Sequence, residues 1–514
     1  MRDKKEEQEE EASKPSVSAT PTEESNCEYY DWNYRELREL GYREALKKVQ
    51  SEEKPKTLPC KSFSYLLHSQ NSTFVPEWNM VCDRLVMKAT VQTAVSFGKF
   101  GGAFTFGIIA DKYGRKTTFI IASMIYMISG PIIAWTRIYT IMLACRVGLG
   151  VAAIGVYQAA YSLLVEMCPP HLRSTLGVMF NQSYALGMVI ISVIAYFVRP
   201  WRKLQLIICA PTYLLIYHML VMPESPRWAY YSGRPLYAWS IVKSVMPPEK
   251  KKLLAEGRVS NIAPIKEKES FAAKFARFSE KTKAQLKYMK YGEVRTRLFL
   301  CWAIWCFTSM SYYALSITSG HLKIDSYLYT GLSGLVEGIS YIIVVPLLKF
   351  LGRRGTGTFL LAGAGVAFVT LLFLPDDMRN TKMLFALLGR LCISSVFVAV
   401  IIHASELFPT VMRNTAIGTS SAWSHVGSTI APYLVDYFVI YGWWVPNVMC
   451  GGTAFFSALL CQFLPETKDL VLYNTMEEFI EKCDSNPEER ISLYHCFLLR
   501  MFKKRNPPAT PQTS

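Results

Sequence analysis

The chain has 514 residues, of which 51% are hydrophobic and only 19% are charged. Soluble proteins carry about 25% charged residues, so the composition excludes an ordinary soluble protein and predicts an all-α polytopic membrane protein. The formal net charge of +16 does not indicate a nucleic-acid partner, because the positive excess lies in residues 223–297, which hold 17 Lys and Arg but 7 Asp and Glu.

Residues 1–84 contain no apolar run long enough to cross a membrane, and we predict that they form an extracellular segment. The tripeptide NST that begins at Asn71 is an acceptor sequence for N-glycosylation. Cys27, Cys60 and Cys82 lie in the same segment, where an extracellular compartment permits disulfides. Three cysteines cannot all pair with one another, so the connectivity stays open. We expect any homo-oligomer to form through this segment.

Eleven apolar runs follow residue 84. A helix needs about 20 apolar residues to cross the ~30 Å hydrocarbon core. We predict a helix for each run, because lipid offers the backbone no other hydrogen-bond partners. The predicted spans are 85–109, 118–135, 138–165, 174–198, 204–222, 298–318, 327–351, 357–374, 382–405, 415–440 and 443–464.

The connections between these spans alternate between Lys/Arg-rich and less basic sequences, except that Arg199, Arg202 and Lys203 fall on the predicted outer side. Cytoplasmic loops carry the positive excess, so we predict a multi-pass plasma-membrane protein with a cytoplasmic C-terminus. The predicted domains are an extracellular segment 1–84, an N-terminal bundle 85–222, a basic cytoplasmic loop 223–297, a C-terminal bundle 298–464 and a cytoplasmic tail 465–514.

Four landmarks occur twice, 238 to 244 residues apart, which predicts two parallel halves. In both copies of one of these landmarks, a glutamate ends a span and an arginine follows seven residues later. We predict that ion pairs between such charges open and close a gate, although the charges could instead only mark the membrane surface. The predicted gating residues are Asp111, Arg115, Glu166, Arg173, Glu406 and Arg413.

Three motifs resemble the solute carrier 22 family of organic cation, anion and carnitine transporters, within the major facilitator superfamily. They are EWNMVCD at 77–83, PESPRW at 223–228 and ELFPTVMRN at 406–414. The resemblance implies two six-helix bundles that rock about a central site. Family members have a further helix before their extracellular loop, and no such run precedes residue 85 here. We expect either an incomplete or alternatively spliced chain, or a fold without that helix. Lys349 stands where the family motif has an Asp.

Charges within the predicted spans cost about 2.5–3.5 kcal/mol each and therefore need a reason. By resemblance, Glu337 faces the substrate path, although it could instead form a structural ion pair with another helix. His425 stands where the family's anion and carnitine transporters place an Arg and its cation transporters an Asp, and histidine changes charge near neutral pH. We expect Lys99 to pair with Glu337 or to line the cavity. Arg390 either lines the cavity or packs between helices.

By resemblance, Trp305, Tyr312, Tyr157 and Asn181 also line the substrate pocket, where aromatic rings would bind amines. The alternative for each ring is ordinary core packing. Arg146 lies within a span and has the same two alternatives as Arg390. We expect Asp436 to reach the outer surface.

The sequence contains no metal-ligand spacing and no phosphate-binding loop. We therefore predict neither an enzyme nor a cofactor or metal site. The predicted function is secondary transport of small organic ions across the lipid bilayer by alternating access, with organic cations or carnitine-like zwitterions favoured. The alternatives are an organic-anion exchanger, with Lys99 and Arg390 as its positive pocket, and a non-transporting membrane sensor or regulator.

Overall fold

The computed structural model describes residues 27–40, 42–51, 56–60, 63, 73–169, 172–246, 288–318, 325–375, 377–442, 444–468, 473 and 476–485. These residues divide into two compact units, one within Met1–Leu67 and Val75–Arg84 and the other within His68–Phe74 and Leu85–Ser514. The predicted glycosylation site at Asn71 and most of the basic loop and the C-terminal tail lie outside the described residues.

The smaller unit is a short hairpin with two helices. Strands β1 (Glu28–Tyr30) and β2 (Thr57–Pro59) pair antiparallel, with Tyr29 opposite Leu58. Between them lie α1 (Tyr34–Glu39) and α2 (Tyr42–Ser51), and α3 (Phe74–Glu77) follows later in the chain.

A disulfide closes this smaller unit. Cys27 is bonded to Cys82, and the Cys60 amide donates to the Cys27 carbonyl oxygen at 2.9 Å. Among the three cysteines of the predicted segment, the structure thus places Cys60 outside the bond. A loop of 55 residues closed in this way loses freedom mainly in the unfolded state, which stabilises the fold by about 2–4 kcal/mol.

The larger unit holds the long helices. Its first half contains α4 (Leu85–Tyr113), α5 (Arg115–Trp135), α6 (Tyr139–Met167), α7 (Arg173–Phe197), α8 (Trp201–Cys209), α9 (Leu215–Val221), α10 (Pro226–Tyr231) and α11 (Pro235–Val245). Its second half contains α12 (Gly292–Thr318), α13 (Ser326–Phe373), α14 (Arg379–Leu407), α15 (Thr410–Pro432), α16 (Val445–Phe463) and α17 (Met476–Ser485).

Eight helices of the described residues are long and apolar enough to cross a membrane. One of them is α13, which merges the predicted spans 327–351 and 357–374, although its backbone leaves the helical region at Gly352 with φ 75°. Another is Trp201–Val221, whose middle is a 3₁₀ turn at Ala210–Leu214 because Pro211 cannot donate to a helical hydrogen bond. The count of eleven spans therefore stays a prediction.

Small residues let helices of the same half approach closely. A side chain at Gly98 on α4 would meet the Val147 carbonyl oxygen at 2.2 Å, and one at Gly150 on α6 would meet the Val95 oxygen at 2.1 Å. Close approach of this kind is how helices pack in lipid, where burial of apolar surface drives association weakly. The α4–α6 contact that results fixes the wall of the cavity described below.

The two halves meet along two pairs of helices, α4 with α15 and α7 with α13. We call the end of the larger unit where α4 begins the Leu85 end, and the end that holds Arg115 and Arg353 the Arg115 end. The Gln182 amide donates to the Gly338 oxygen at 3.3 Å. The Ser192 hydroxyl bonds the Tyr327 oxygen nearer the Leu85 end.

Candidate functional site

A buried ion pair lies inside the second half. The Arg390 guanidinium on α14 lies 3.2 Å from a carboxylate oxygen of Glu337 on α13, and their side chains are 1% and 6% exposed. The Tyr312 and Ser394 hydroxyls donate to the same oxygen at 3.2 and 2.8 Å. Of the two alternatives for Lys99, a pair with Glu337 is not the one found among the described residues, because Arg390 lies one helix away from Glu337 within the same half and takes that place.

The same network reaches the first half through two contacts. The Arg390 guanidinium carbon lies 3.7 Å from the centre of the Tyr312 ring. The hydroxyl oxygens of Tyr312 and Tyr184 lie 3.4 Å apart, and Arg390 Nη2 lies 3.8 Å from the sulfur of Met188. Both partners are on α7. The ion pair thus lies inside the second half, and its network contacts α7 of the first half.

A cavity of about 410 Å³ opens between the halves beside this network. Lys99 on α4 and Arg146 on α6 both line it, and Lys99 Nζ donates to the Tyr313 hydroxyl at 3.4 Å. The Nε atom of Arg146 is buried and has no hydrogen-bond partner among the described residues. The other described lining residues are uncharged, so no carboxylate lies among them. They are Gln92, Ser96, Ser316, Ser428, Val91, Val95, Phe74, Ile317 and Pro432, together with Tyr313.

Ser316 links the cavity to the ion pair. It lines the cavity, and its hydroxyl accepts a hydrogen bond from Arg390 Nη1. Arg390 itself is not among the described lining residues. Two cations were predicted for an anion pocket. In the structure Lys99 lines the cavity, whereas Arg390 is separated from the cavity by Ser316.

The remaining predicted pocket residues lie elsewhere. Trp305 is buried in an apolar cluster of the second half. The Tyr157 hydroxyl donates to the Asn181 side-chain oxygen at 2.9 Å, and the ring is 43% exposed. His425 on α15 is half-buried, with its carbonyl accepting from the Ser428 and Thr429 hydroxyls.

At the Arg115 end, a charged cluster joins the helices of the first half. Arg115 lies 3.1 Å from Glu166 and 3.3 Å from Asp111. Glu224 accepts hydrogen bonds from the backbone amides of Arg115 and Lys116 at 2.9 to 3.1 Å. Because these amides begin α5 and have no partner within the helix, Glu224 caps its positive N-terminus.

The second half repeats this cluster. Arg353 binds both carboxylate oxygens of Glu406 at 2.8 and 2.9 Å. Glu466 accepts from the backbone amides of Arg353 and Arg354 at 2.8 and 3.1 Å. The second cluster has Lys349 where the first has the carboxylate of Asp111. The carbonyl oxygen of Lys349 accepts a hydrogen bond from Lys468 Nζ at 2.7 Å.

The partner of Glu406 differs from the predicted Arg413 in the structure. Glu406 binds Arg353, whereas Nε and Nη2 of Arg413 are buried without a hydrogen-bond partner among the described residues. The side chain of Arg173 lies outside the described residues. The reason is geometric. Pro409 precedes α15, so Arg413 lies on a different helix from Glu406, whereas Arg353, directly after the break in α13 at Gly352, lies beside the end of α14.

Two further features were missed. Glu224 and Glu466 occupy matching places in the repeated motifs PES and PET, and that repetition was the signal for their shared role. Asp436, expected at the surface, is buried and pairs with Lys88 at 2.7 Å. Lys88 lies 348 residues away in sequence, and no local pattern predicts such a contact.

Together, two helical halves with repeated ion-pair clusters and a charged cavity between them define a membrane transporter of the two-bundle type. Residues 45–479 match the family model described as "Sugar (and other) transporter". The chain belongs to this family. Its members are transporters, which agrees with the prediction of a non-enzymatic protein.

Curated relatives support the predicted resemblance to the solute carrier 22 family. The chain is 30% identical over 461 residues to the organic cation transporter protein of Drosophila melanogaster, covering 89% of this chain and 81% of that one. It is 30% identical over 423 residues to organic anion transporter 3 of Rattus norvegicus, covering 82% and 77%. The resemblance is confirmed, and the relatives include transporters named for either sign of charge.

A solved structure confirms the fold class. The chain superimposes on the inward-open xylose transporter of E. coli with a TM-score of 0.58 at 17% identity, over 78% of this chain and 89% of that chain. The two-bundle fold of the major facilitator superfamily is therefore correct. At this identity the match concerns the fold alone.

Proposed function

We propose that this protein moves small organic ions across the plasma membrane by alternating access, and that the transported ion carries a negatively charged group. The observation that supports this proposal is the pair of cations, Lys99 and Arg146, that line a cavity without a described carboxylate. Uncompensated positive charge in a low-dielectric site attracts an anion strongly. A carboxylate or sulfonate between the two side chains would supply the missing partner of Arg146.

The sequence favoured organic cations or carnitine-like zwitterions because of Glu337 and because His425 stands where an Arg would be expected for an anion. The contacts of Glu337 weaken the case for a simple cation. One oxygen of this carboxylate already receives three donors, from Arg390, Tyr312 and Ser394. A substrate cation would have to displace Arg390, which would leave a buried guanidinium without its anion. Breaking a buried pair in this way costs about 3–5 kcal/mol.

A carnitine-like zwitterion is the second candidate. Tyr157 stacks on Tyr161 at 6.1 Å and contacts Phe180 at 5.5 Å. This half-exposed group of rings is suited to a quaternary or protonated amine, at about 0.5–2 kcal/mol for each cation–π contact. A zwitterion would place its carboxylate at the cavity cations and its amine towards rings of this kind.

The energetics of an anion also bear on coupling. A monovalent anion that enters against a potential of about 100 mV, negative inside, loses about 2.3 kcal/mol. Net uptake therefore needs exchange for an internal anion or co-transport with a cation. We expect preloading of vesicles with the unlabelled anion to accelerate uptake of the labelled one.

Uptake by the purified full chain in lipid vesicles tests the proposal. The probes are a labelled aromatic carboxylate, a carnitine-like zwitterion and a tetraalkylammonium. We expect uptake of the carboxylate or the zwitterion, and its loss in Lys99→Met and Arg146→Met, while the control Lys203→Met at an exposed site on α8 transports as the parent does. Uptake of the tetraalkylammonium alone would contradict the anionic group. The absence of any flux would favour a sensor or regulator.

A further inference from the structure

A seam of polar contacts joins the two halves at the Leu85 end, beside the cavity. The Thr93 hydroxyl on α4 donates to the Thr429 oxygen on α15 at 2.9 Å. The Thr90 and Tyr433 hydroxyls lie 3.1 Å apart, and Lys88 Nζ lies 2.7 Å from Asp436. These three contacts follow one another as α4 and α15 run in opposite directions.

The sequence explains why these three residues share a face, Thr429 through its carbonyl oxygen and the other two through their side chains. Thr429, Tyr433 and Asp436 follow the spacing i, i+4, i+7, which places residues on one side of a helix. The helix changes from α to π geometry after Pro432, over Tyr433–Tyr437. Such π segments are frequent at functional sites.

Of the three contacts in the seam, the Lys88–Asp436 ion pair costs the most free energy to break, because Asp436 is buried. The Asp436 side chain is 0% exposed, while that of Lys88 is 25% exposed. A carboxylate without water must keep its cation as long as the two halves touch. Separation of the halves at this end would admit water to both groups, and only then could the pair come apart without that penalty.

We propose that Lys88 and Asp436 form a gate that holds the Leu85 end closed and must break for that end to open. This inference rests on the alternating access proposed above. It assigns a positioning role to two residues outside the cavity and outside the two clusters at the Arg115 end. Each of those clusters joins helices of a single half, whereas the Lys88–Asp436 pair joins one half to the other.

The test measures how far the Leu85 end is open, without any substrate. Spin labels are introduced as unnatural amino acids at the exposed positions Ile138 and Met378, one in each half, so that the native cysteines stay in place. Pulsed electron resonance then gives the distance distribution for the full chain in lipid nanodiscs. A second label pair within the first half, at Ile138 and Phe197, reports whether that half keeps its shape.

We expect Lys88→Met and Asp436→Asn each to shift the ratio of short to long distances by about tenfold towards long, equivalent to about 1.4 kcal/mol. The double variant should shift the ratio no further, because one substitution already breaks the pair. The control Asp325→Asn, which removes the charge of an exposed helix cap at the same end but keeps its acceptor, should leave the distribution unchanged, and the label pair within the first half should not move.

Unchanged distances in the single variants, or shifts that add in the double variant, would overturn the gate. If Asp436→Asn does not yield folded protein, Lys88→Met decides the question, because its side chain is partly exposed and its loss leaves the fold less disturbed. Failure of the uptake assays with a positive distance result would remove the proposed function and leave the gate in place.

Discussion

Arg390 and Lys99 are both cations within the helical bundle, yet their surroundings differ. Arg390 is buried against Glu337, Tyr312 and Ser316, whereas Lys99 faces a cavity and contacts only neutral groups among the described residues. The first arrangement neutralises a charge that the fold must bury. Under the proposed function, the second leaves charge for a ligand to neutralise. Charge inside the bundle would then serve two purposes in one molecule, and local sequence does not distinguish them.

The largest expected effect comes from breaking the buried pair. Glu337→Gln or Arg390→Met should each lower the free energy of unfolding by about 3–5 kcal/mol, since the remaining charge would be buried alone. Thermal unfolding of the purified chain in detergent measures this. The double variant should recover much of the loss. If Glu337→Gln instead keeps full stability and abolishes only uptake, Glu337 belongs to the substrate site.

The next largest effect is expected at Lys99, the cation that lines the cavity. Lys99→Met should reduce uptake of an anionic substrate by about 10- to 100-fold, the value of a charge-assisted hydrogen bond of roughly 1.5–3 kcal/mol. Stability should stay the same or rise, because a costly cation has left the bundle. A loss of stability comparable to that of Arg390→Met would show that Lys99, like Arg390, stabilises the fold rather than binding a ligand.

A smaller effect is expected at the helix caps of the Arg115 end. Glu224→Gln and Glu466→Gln should each lower the free energy of unfolding by about 0.5–2 kcal/mol, because each removes charge from a helix N-terminus but keeps an acceptor. Similar losses in the two variants would show that the repeated clusters are equivalent. Unequal losses would mean that Lys349 makes the second cluster weaker than the first.

Asp111→Asn should have the smallest effect. Its carboxylate is 82% exposed and lies 3.3 Å from Arg115, and exposed pairs contribute less than about 1 kcal/mol. Thermal unfolding should therefore barely change, while Glu166→Gln, at the more buried partner of the same arginine, should change it more. The reverse order would contradict the roles assigned here to the two carboxylates.

The sequence predicted the helical membrane fold and its two halves because both follow from patterns along the chain. Apolar length indicates the spans, and the motif that recurs 240 residues after Glu166 indicates the repeat. A charge in an apolar run needs a reason, and for Lys99 the sequence left two open, a pair with Glu337 or a place at the cavity, between which only the packing of the helices distinguishes.

The ion-pair partners of the charged residues were harder to predict than the helices on which those residues lie. Glu166 binds Arg115, 51 residues away, rather than a near neighbour in sequence, and Asp436 binds Lys88 across the two halves. Such pairings depend on which helices pack together. That packing is set by features such as the close approach at Gly98 and Gly150, which carry no information about charge.

The central claim is that the cavity recognises negative charge, and the most direct test compares two ligands of nearly equal shape. Uptake into vesicles is measured for a labelled aromatic carboxylate and for the corresponding uncharged amide, in the parent chain and in Lys99→Met/Arg146→Met. The account predicts that the parent prefers the carboxylate by at least about tenfold, as expected for one charge-assisted contact, and that the double variant loses this preference. Equal uptake of both ligands by the parent chain would contradict it.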